Sequence, residues 1–129
     1  MKEKIYIAGG GGMLGEAFYK IFSSEFITRF TDIDVNEVWL SKMDIRSYED
    51  YYLDVKKFKS NYLFHLGAYT DLEYCERNPD QAYITNTLAV EYAVKIANEL
   101  NIPLLYISSA GIFDGKKQVY DDWGAPNPL

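Results

Sequence analysis

The stretch Ile5 to Gly15, IYIAGGGGMLG, sets four consecutive glycines between a short apolar run and the start of a helix-like segment. Glycine lacks a Cβ, so a chain turning from strand to helix through such a run can bring its backbone N–H groups close to a bound anion. The N-terminus of the following helix adds partial positive charge, and the combination suits the pyrophosphate of a dinucleotide. The plain alternative is a solvated glycine linker. Against it, KIYIA before the run is strand-like and MLGEAFYKIF after it is helix-like. Two registers fit the turn: Gly10-x-Gly12-x-x-Gly15 is the G-x-G-x-x-G fingerprint, and Gly9-x-x-Gly12-x-x-Gly15 is a wider spacing. Both share Gly12 and Gly15 with Met13 and Leu14 between them, and the glycines alone leave the register open.

Beyond the turn, strand and helix signals alternate. KIYIA (4–8) reads as a buried strand, and the helix over 13–22 places Leu14, Ala17, Phe18, Ile21 and Phe22 on one face. FITRFTD (26–32) is a second strand, whereas IDVNEVWLSKMDI contains no strand that its pattern can place. SYEDYYLDVKKF (47–58) predicts a helix opened by Ser47 as N-cap, with acidic residues in its first turn. YLFHLGA (62–68) and PLLYISS (103–109) read as strands. Between them, 78–100 predicts one long helix with Pro79 near its start and Ala82, Asn86, Ala89, Ala93 and Ala97 at helical spacing. Buried strands alternating with helices imply an α/β fold, a Rossmann-like doubly wound parallel sheet in one domain, 1–129, with ligands beyond the C-terminal strand ends.

The 129 residues, 48% of them hydrophobic, suffice for one real core. A net charge of −6 argues against nucleic acid or an anionic membrane as partner, since both demand clustered Lys and Arg. No apolar run has the length of a membrane span, and MKEKIYIAGGGG has no signal-peptide pattern, so a cytoplasmic protein is expected. Cys75 is the only cysteine and His65 the only histidine, which leaves neither an internal disulfide nor a Cys- or His-based metal site. Cys75 reads as structural and His65 as a core strand residue.

Asp32 ends the second strand about twenty residues past the glycines, where a carboxylate accepts from both adenosine ribose hydroxyls and repels a 2′-phosphate, favouring NAD(H) over NADP(H). Asp34 could serve instead, and Arg29 could soften that bias. Asp44 could accept from an adenine amino group while Ile45 packs on the ring; as an isolated pair they equally describe a turn. Leu66, Gly67, Ala68 and Tyr69 follow the fourth strand, with Gly67 and Ala68 small enough for close passage of a cofactor. Ser108 and Ser109 end the last strand, where a hydroxyl can stabilise a carbonyl oxygen gaining charge, or simply cap a turn.

Taken together these residues resemble the extended short-chain dehydrogenase/reductase superfamily, and within it the dTDP-4-dehydrorhamnose reductases and related nucleotide-sugar reductases. The resemblance runs from AGGGGMLG through GAYTDLEYCERNPDQAYITNTLAVEYAVKIANELNIPLLYISSAGIFDG to DDWGAPNPL. It implies the wide register, Gly9, Gly12 and Gly15, with Gly10 and Gly11 lining the turn. It further implies that Ser109 polarises the sugar ketone, that Asn86 supports the active site, and that Ala68, Tyr69 and Thr70 lie beside the cofactor. The implied activity is NAD(P)H-dependent reduction of a 4-keto nucleotide sugar, with NADH favoured. An NAD-dependent epimerase or dehydratase, and a non-catalytic dinucleotide-binding module, are the rival readings.

Two departures stand out. Ala110-Gly111 replaces the Asp-Tyr that usually follows the catalytic hydroxyl, and no Tyr-x-x-x-Lys follows APNPL; the match from Tyr52 to Lys56 lies on an earlier helix. The chain is therefore expected to be the cofactor-binding part of a longer enzyme, inactive by itself and cut before the last strands and the substrate lobe. An open sheet edge and an uncovered apolar helix face should follow, and with them self-association into a homo-oligomer or marginal stability.

Overall fold

The computed structural model describes residues 1–129. Strands β1 (Lys4–Ala8), β2 (Ile27–Asp32), β3 (Leu40–Lys42), β4 (Tyr62–His65) and β5 (Leu104–Tyr106) form one parallel sheet in the order β3-β2-β1-β4-β5. β1 is central, with Ile7 opposite Phe30 on one side and Phe64 on the other. A central parallel strand is covered on both faces, which is why KIYIA is apolar without alternation. Ile5 and Ile7 pack with Phe30 and Leu40 on one face, while Tyr6 and Ala8 join Leu63 on the other.

The first face is covered by α1 (Met13–Phe22), through Phe18, Tyr19 and Phe22. The second is covered by α2 (Tyr48–Phe58) and α5 (Ala89–Leu100), which contribute Tyr51, Val55, Ala93, Ile96 and Ala97. Ser47 caps α2 as its sequence predicts, its hydroxyl accepting from the Asp50 N–H at 3.4 Å. The strand left unplaced is β3, whose Leu40 pairs with Phe30 beside a Trp39–Tyr19 ring stack at 4.5 Å.

Several expectations are corrected. The 62–68 strand stops at His65 and the 103–109 strand at Tyr106, so Ser108 and Ser109 lie past the sheet. The single helix over 78–100 is three pieces: α4 (Pro79–Tyr83), a π-helical turn (Ile84–Leu88) and α5. A further helix, α3 (Leu72–Arg77), precedes them, capped by Asp71 accepting from the Tyr74 N–H at 3.0 Å. Arg29, expected near the ribose carboxylate, instead grips Asp54 on α2 through Nε and Nη2, both at 2.9 Å, while Tyr6 donates to the same carboxylate at 2.5 Å. On α1 the expected buried face is split, because Phe18 and Phe22 pack inward while Leu14, Ala17 and Ile21 stay exposed. That stripe is an uncovered apolar helix face, and β5 is an open edge.

Candidate functional site

The C-terminal ends of β1, β2 and β4 open onto a cleft of about 390 Å³. Gly9, Gly12 and Gly15 line it, and the five clustered glycines do different work. Gly9 has φ +78°, and a Cβ on it would overlap the backbone nitrogen of Gly67, so the ends of β1 and β4 meet backbone to backbone. A Cβ on Gly15 would overlap the Gly10 carbonyl, which fixes the helix against the turn. Gly10 lies under the Phe30 ring and Gly11 against Asp32, and neither faces the cleft. At Gly12 a Cβ would meet nothing within 4 Å. Gly12 is also the N-cap of α1, with no side-chain cap, so the first turn of that helix presents its N–H groups to the cleft along Gly12, Met13, Leu14 and Gly15.

Asp32 and Ile33 form the wall after β2. The Asp32 carboxylate holds its own loop, accepting from the Gly11 N–H at 2.9 Å and the Asp34 N–H at 3.2 Å. Asp34 enters only as that backbone donor; it does not line the cleft, and neither does Arg29. Met43, Asp44, Ile45 and Arg46 follow β3. Arg46 returns onto Asp44 in a two-point pair, Nε to Oδ1 at 2.9 Å and Nη2 to Oδ2 at 2.8 Å, and this bonding holds the Asp44 carboxyl below the usual carboxylate range.

Leu66, Gly67, Ala68, Tyr69 and Thr70 form the wall after β4. Its shape is set by Asn86, whose Oδ1 accepts from the Tyr69 N–H at 2.7 Å and whose Nδ2 donates to the Tyr69 carbonyl at 2.9 Å. One amide thus satisfies both backbone groups of a loop residue, which makes Asn86 a positioning residue outside the cleft lining. Thr85, its neighbour, does line the cleft. Beyond β5 the lining residue is Ile107; Ser108 and Ser109 are exposed and outside it. Ser109 caps a short 3-10 turn (Ala110–Ile112), its Oγ accepting from the Gly111 N–H at 3.0 Å.

His65 is fully buried, with Nδ1 2.8 Å from the Tyr51 hydroxyl, and burial pushes its pKa down to about 4. Cys75 is half-buried with Sγ 3.8 Å from the Tyr69 carbonyl. No three His, Cys, Asp or Glu side chains gather as metal ligands, and no helix is long and apolar enough to cross a membrane.

Of the residues expected to bind a cofactor, Gly9, Gly12, Met13, Leu14, Gly15, Asp32, Asp44, Ile45, Leu66, Gly67, Ala68 and Tyr69 line one cleft; Gly10 and Gly11 do not. Sequence reasoning missed Ile33, Met43, Arg46, Thr85 and Ile107. Each of the five lies within two positions of an expected residue, which is the only signal the chain carried for them.

The family described as RmlD substrate binding domain matches residues 2–129. The chain is 27% identical over 114 residues to a dTDP-4-dehydrorhamnose reductase of Aggregatibacter actinomycetemcomitans, covering 88% of this chain and 37% of that protein. It is 28% identical over 131 residues to methionine adenosyltransferase 2 subunit beta of Xenopus tropicalis, covering 98% and 38%. A hypothetical dTDP-4-dehydrorhamnose reductase from Sulfolobus tokodaii superposes with a TM-score of 0.89 at 25% identity, over 97% of this chain and 46% of that one. The chain therefore spans about two fifths of the length of these curated relatives. With a match over nearly its whole length, it belongs to the RmlD substrate binding domain family.

Proposed function

We propose that the protein reduces a 4-keto nucleotide sugar with NAD(P)H, in the manner of a dTDP-4-dehydrorhamnose reductase, and that this chain supplies its dinucleotide-binding part. The observation that carries the reading is Gly12: alone among the clustered glycines its missing Cβ leaves open cleft, at the uncapped N-terminus of a ten-residue helix. That is where a pyrophosphate gains most from backbone N–H groups and the helix dipole. Asp32 then holds the adenosine ribose, Asp44 and Ile45 flank the adenine, and the Leu66–Tyr69 wall carries the rest of the dinucleotide.

When bound, the dinucleotide supplies the hydride for the keto carbon. Ser109 serves the oxygen that gains charge: its Oγ lone pair already accepts from the Gly111 N–H, which leaves the hydroxyl proton to donate to the sugar carbonyl. The proton that completes the alcohol is the task, by resemblance, of a tyrosine in a Tyr-x-x-x-Lys pair. Tyr52 and Lys56 do not supply it, since on α2 they engage each other, with Lys56 Nζ 5.4 Å from the Tyr52 ring centre, and neither lines the cleft. NADH is favoured because Asp32 repels a 2′-phosphate, while the charge of Arg46 is already matched by Asp44.

The test is titration of the protein from its native gene with NADH and NADPH, followed by turnover of a dTDP-4-keto sugar. Micromolar binding with consumption of NADH or NADPH supports the reading; absence of binding to either overturns it. Binding without turnover favours a second reading, a dinucleotide-binding subunit. That reading has the match to a protein named as a methionine adenosyltransferase subunit and the exposure of Ser109 on its side.

A further inference from the structure

We infer that the Thr85 hydroxyl is a hydrogen-bonding contact for the bound dinucleotide; this rests on the dinucleotide reading and adds a residue to it. Thr85 is only 6% exposed, and its Oγ1 has no hydrogen-bond partner. A threonine in a helix ordinarily returns its hydroxyl to the carbonyl one turn back, and buried hydroxyls without partners are rare. Two other buried polar atoms share this condition, Ser60 Oγ and His65 Nε2, but neither residue lines the cleft, whereas Thr85 does.

The backbone explains how it comes to be there. Residues Ile84–Leu88 form a π-helical turn in which the Ala89 N–H reaches back five residues to the Ile84 carbonyl. Such turns place one extra residue in the helix and occur preferentially at functional sites. Here the wider turn brings Thr85 inward in line with the buried Ala89 and Ala93, and sends Asn86 to clamp both backbone groups of Tyr69. A rigid wall and an unsatisfied hydroxyl therefore come from one feature of the chain.

The chemistry of the partner follows. The phosphate contacts are provided at the glycine turn, and the charged pair in this cleft, Asp44 with Arg46, is internally matched. A neutral hydroxyl that can donate or accept suits a neutral polar group of the dinucleotide: a ring nitrogen, a carboxamide or a ribose hydroxyl.

Thr85→Val and Thr85→Ser, made in the protein from its native gene, test this by titration with NADH and NADPH and by thermal melting without ligand. Valine keeps the shape and removes only the hydroxyl; serine keeps the hydroxyl. The expected result is about 3- to 10-fold weaker dinucleotide binding for Thr85→Val, near wild-type binding for Thr85→Ser, and an unliganded Tm for Thr85→Val equal to or above wild type. Wild-type affinity in Thr85→Val, or a loss of affinity matched by a fall in unliganded Tm, overturns the inference alone. A wild-type protein that binds neither NADH nor NADPH overturns the dinucleotide reading and this contact with it.

Discussion

The glycine end of the cleft and the serine end of the chain, which lies outside it, are built differently. At the glycine end four constraints link residues far apart in sequence: Gly9 against Gly67, Gly11 against Asp32, Gly67 against Ile45 and Tyr69 against Asn86. At the serine end the bonds are local. Ser109 bonds Gly111, and Asp114 accepts from the Lys116 N–H, from Tyr120 at 2.6 Å and from Asn127 at 3.0 Å. Every fully buried residue lies at or before Ala97. The proposed binding chemistry thus rests on the core of the sheet, while the proposed reduction chemistry rests on a segment whose hydrogen bonds stay within residues 109–127. The two can be broken separately.

The largest effects should come from the glycine end, and there fold and binding divide between neighbouring glycines. Gly9→Val places a side chain at positive φ into the Gly67 backbone, and a cost of about 3 to 5 kcal/mol is expected, a fall in Tm on the order of 10–20 °C. The Cβ of Gly12→Val meets no protein atom within 4 Å, so its Tm should fall far less than that of Gly9→Val, by the cost of a poorer N-cap, while dinucleotide affinity falls by roughly 100-fold, the pyrophosphate having lost its seat. Thermal melting and NADH titration on the pair check both. A Gly12→Val protein that binds normally would mean the open space above Gly12 is not the phosphate site.

Acid should separate the ends by order of failure. The fold keeps His65 neutral by burial, with its pKa down from 6.5 to about 4, while an unfolded chain protonates at the ordinary value. Native protein then binds fewer protons than unfolded protein between those values. Stability is unaffected by this group above pH 7, declines from pH 6.5 towards 4 by about 3 kcal/mol, and levels below. Asp114 acts in the same sense but in a lower pH window. Its hydrogen bonds hold its pKa below 3.8, so what it contributes is complete above that value and is lost as the pH falls from there through the lowered one. Tm measured against pH should therefore drop first through the core under the glycine end, and His65→Gln should flatten that part of the curve. A flat wild-type profile between pH 6.5 and 4 would contradict the burial of His65.

How much of this was legible in the sequence differs by feature. The glycine turn, β1, α1 and Asp32 declare themselves because strand period, helix period and a twenty-residue spacing agree. β3 does not, because three residues with one buried leucine carry no period. The π turn is invisible to pattern reading: a regular helix through Ala82, Asn86 and Ala89 puts Asn86 on the buried stripe, and one extra residue per turn transfers that place to Thr85. The stripe Leu14, Ala17 and Ile21 shows the converse. Periodicity identifies an apolar face, yet only the fold shows that α1 buries Phe18, Tyr19 and Phe22 and leaves that stripe exposed.

Ser109→Ala sharpens the division from the other end. Ser109 lies outside the cleft lining and makes one local bond, so its loss should change NADH affinity less than 2-fold. Reduction of a 4-keto nucleotide sugar should fall by about 100-fold in kcat, the usual effect of removing one donor to a developing oxyanion. Steady-state turnover alongside binding checks this, and a kcat within a factor of two of wild type would remove Ser109 from the chemistry.

The smallest expected effect concerns cofactor choice at the wall after β2. Asp32 has two duties, since the carboxylate that would meet the ribose hydroxyls also holds the Gly11 and Asp34 N–H groups. Asp32→Ala removes both. Slackening of the glycine loop weakens NADH and NADPH alike and cancels in their ratio, whereas loss of ribose bonds weakens only NADH and loss of negative charge favours only the 2′-phosphate. The NADH over NADPH advantage should therefore narrow by about 3- to 10-fold, the worth of one or two hydrogen bonds to a charged acceptor at an exposed site. Parallel titrations at two salt concentrations isolate the charge contribution, because screening diminishes repulsion of the 2′-phosphate and leaves the ribose bonds in place. If the ratio is the same in Asp32→Ala as in wild type, Asp32 serves the turn alone and cofactor choice is made elsewhere on the cleft wall.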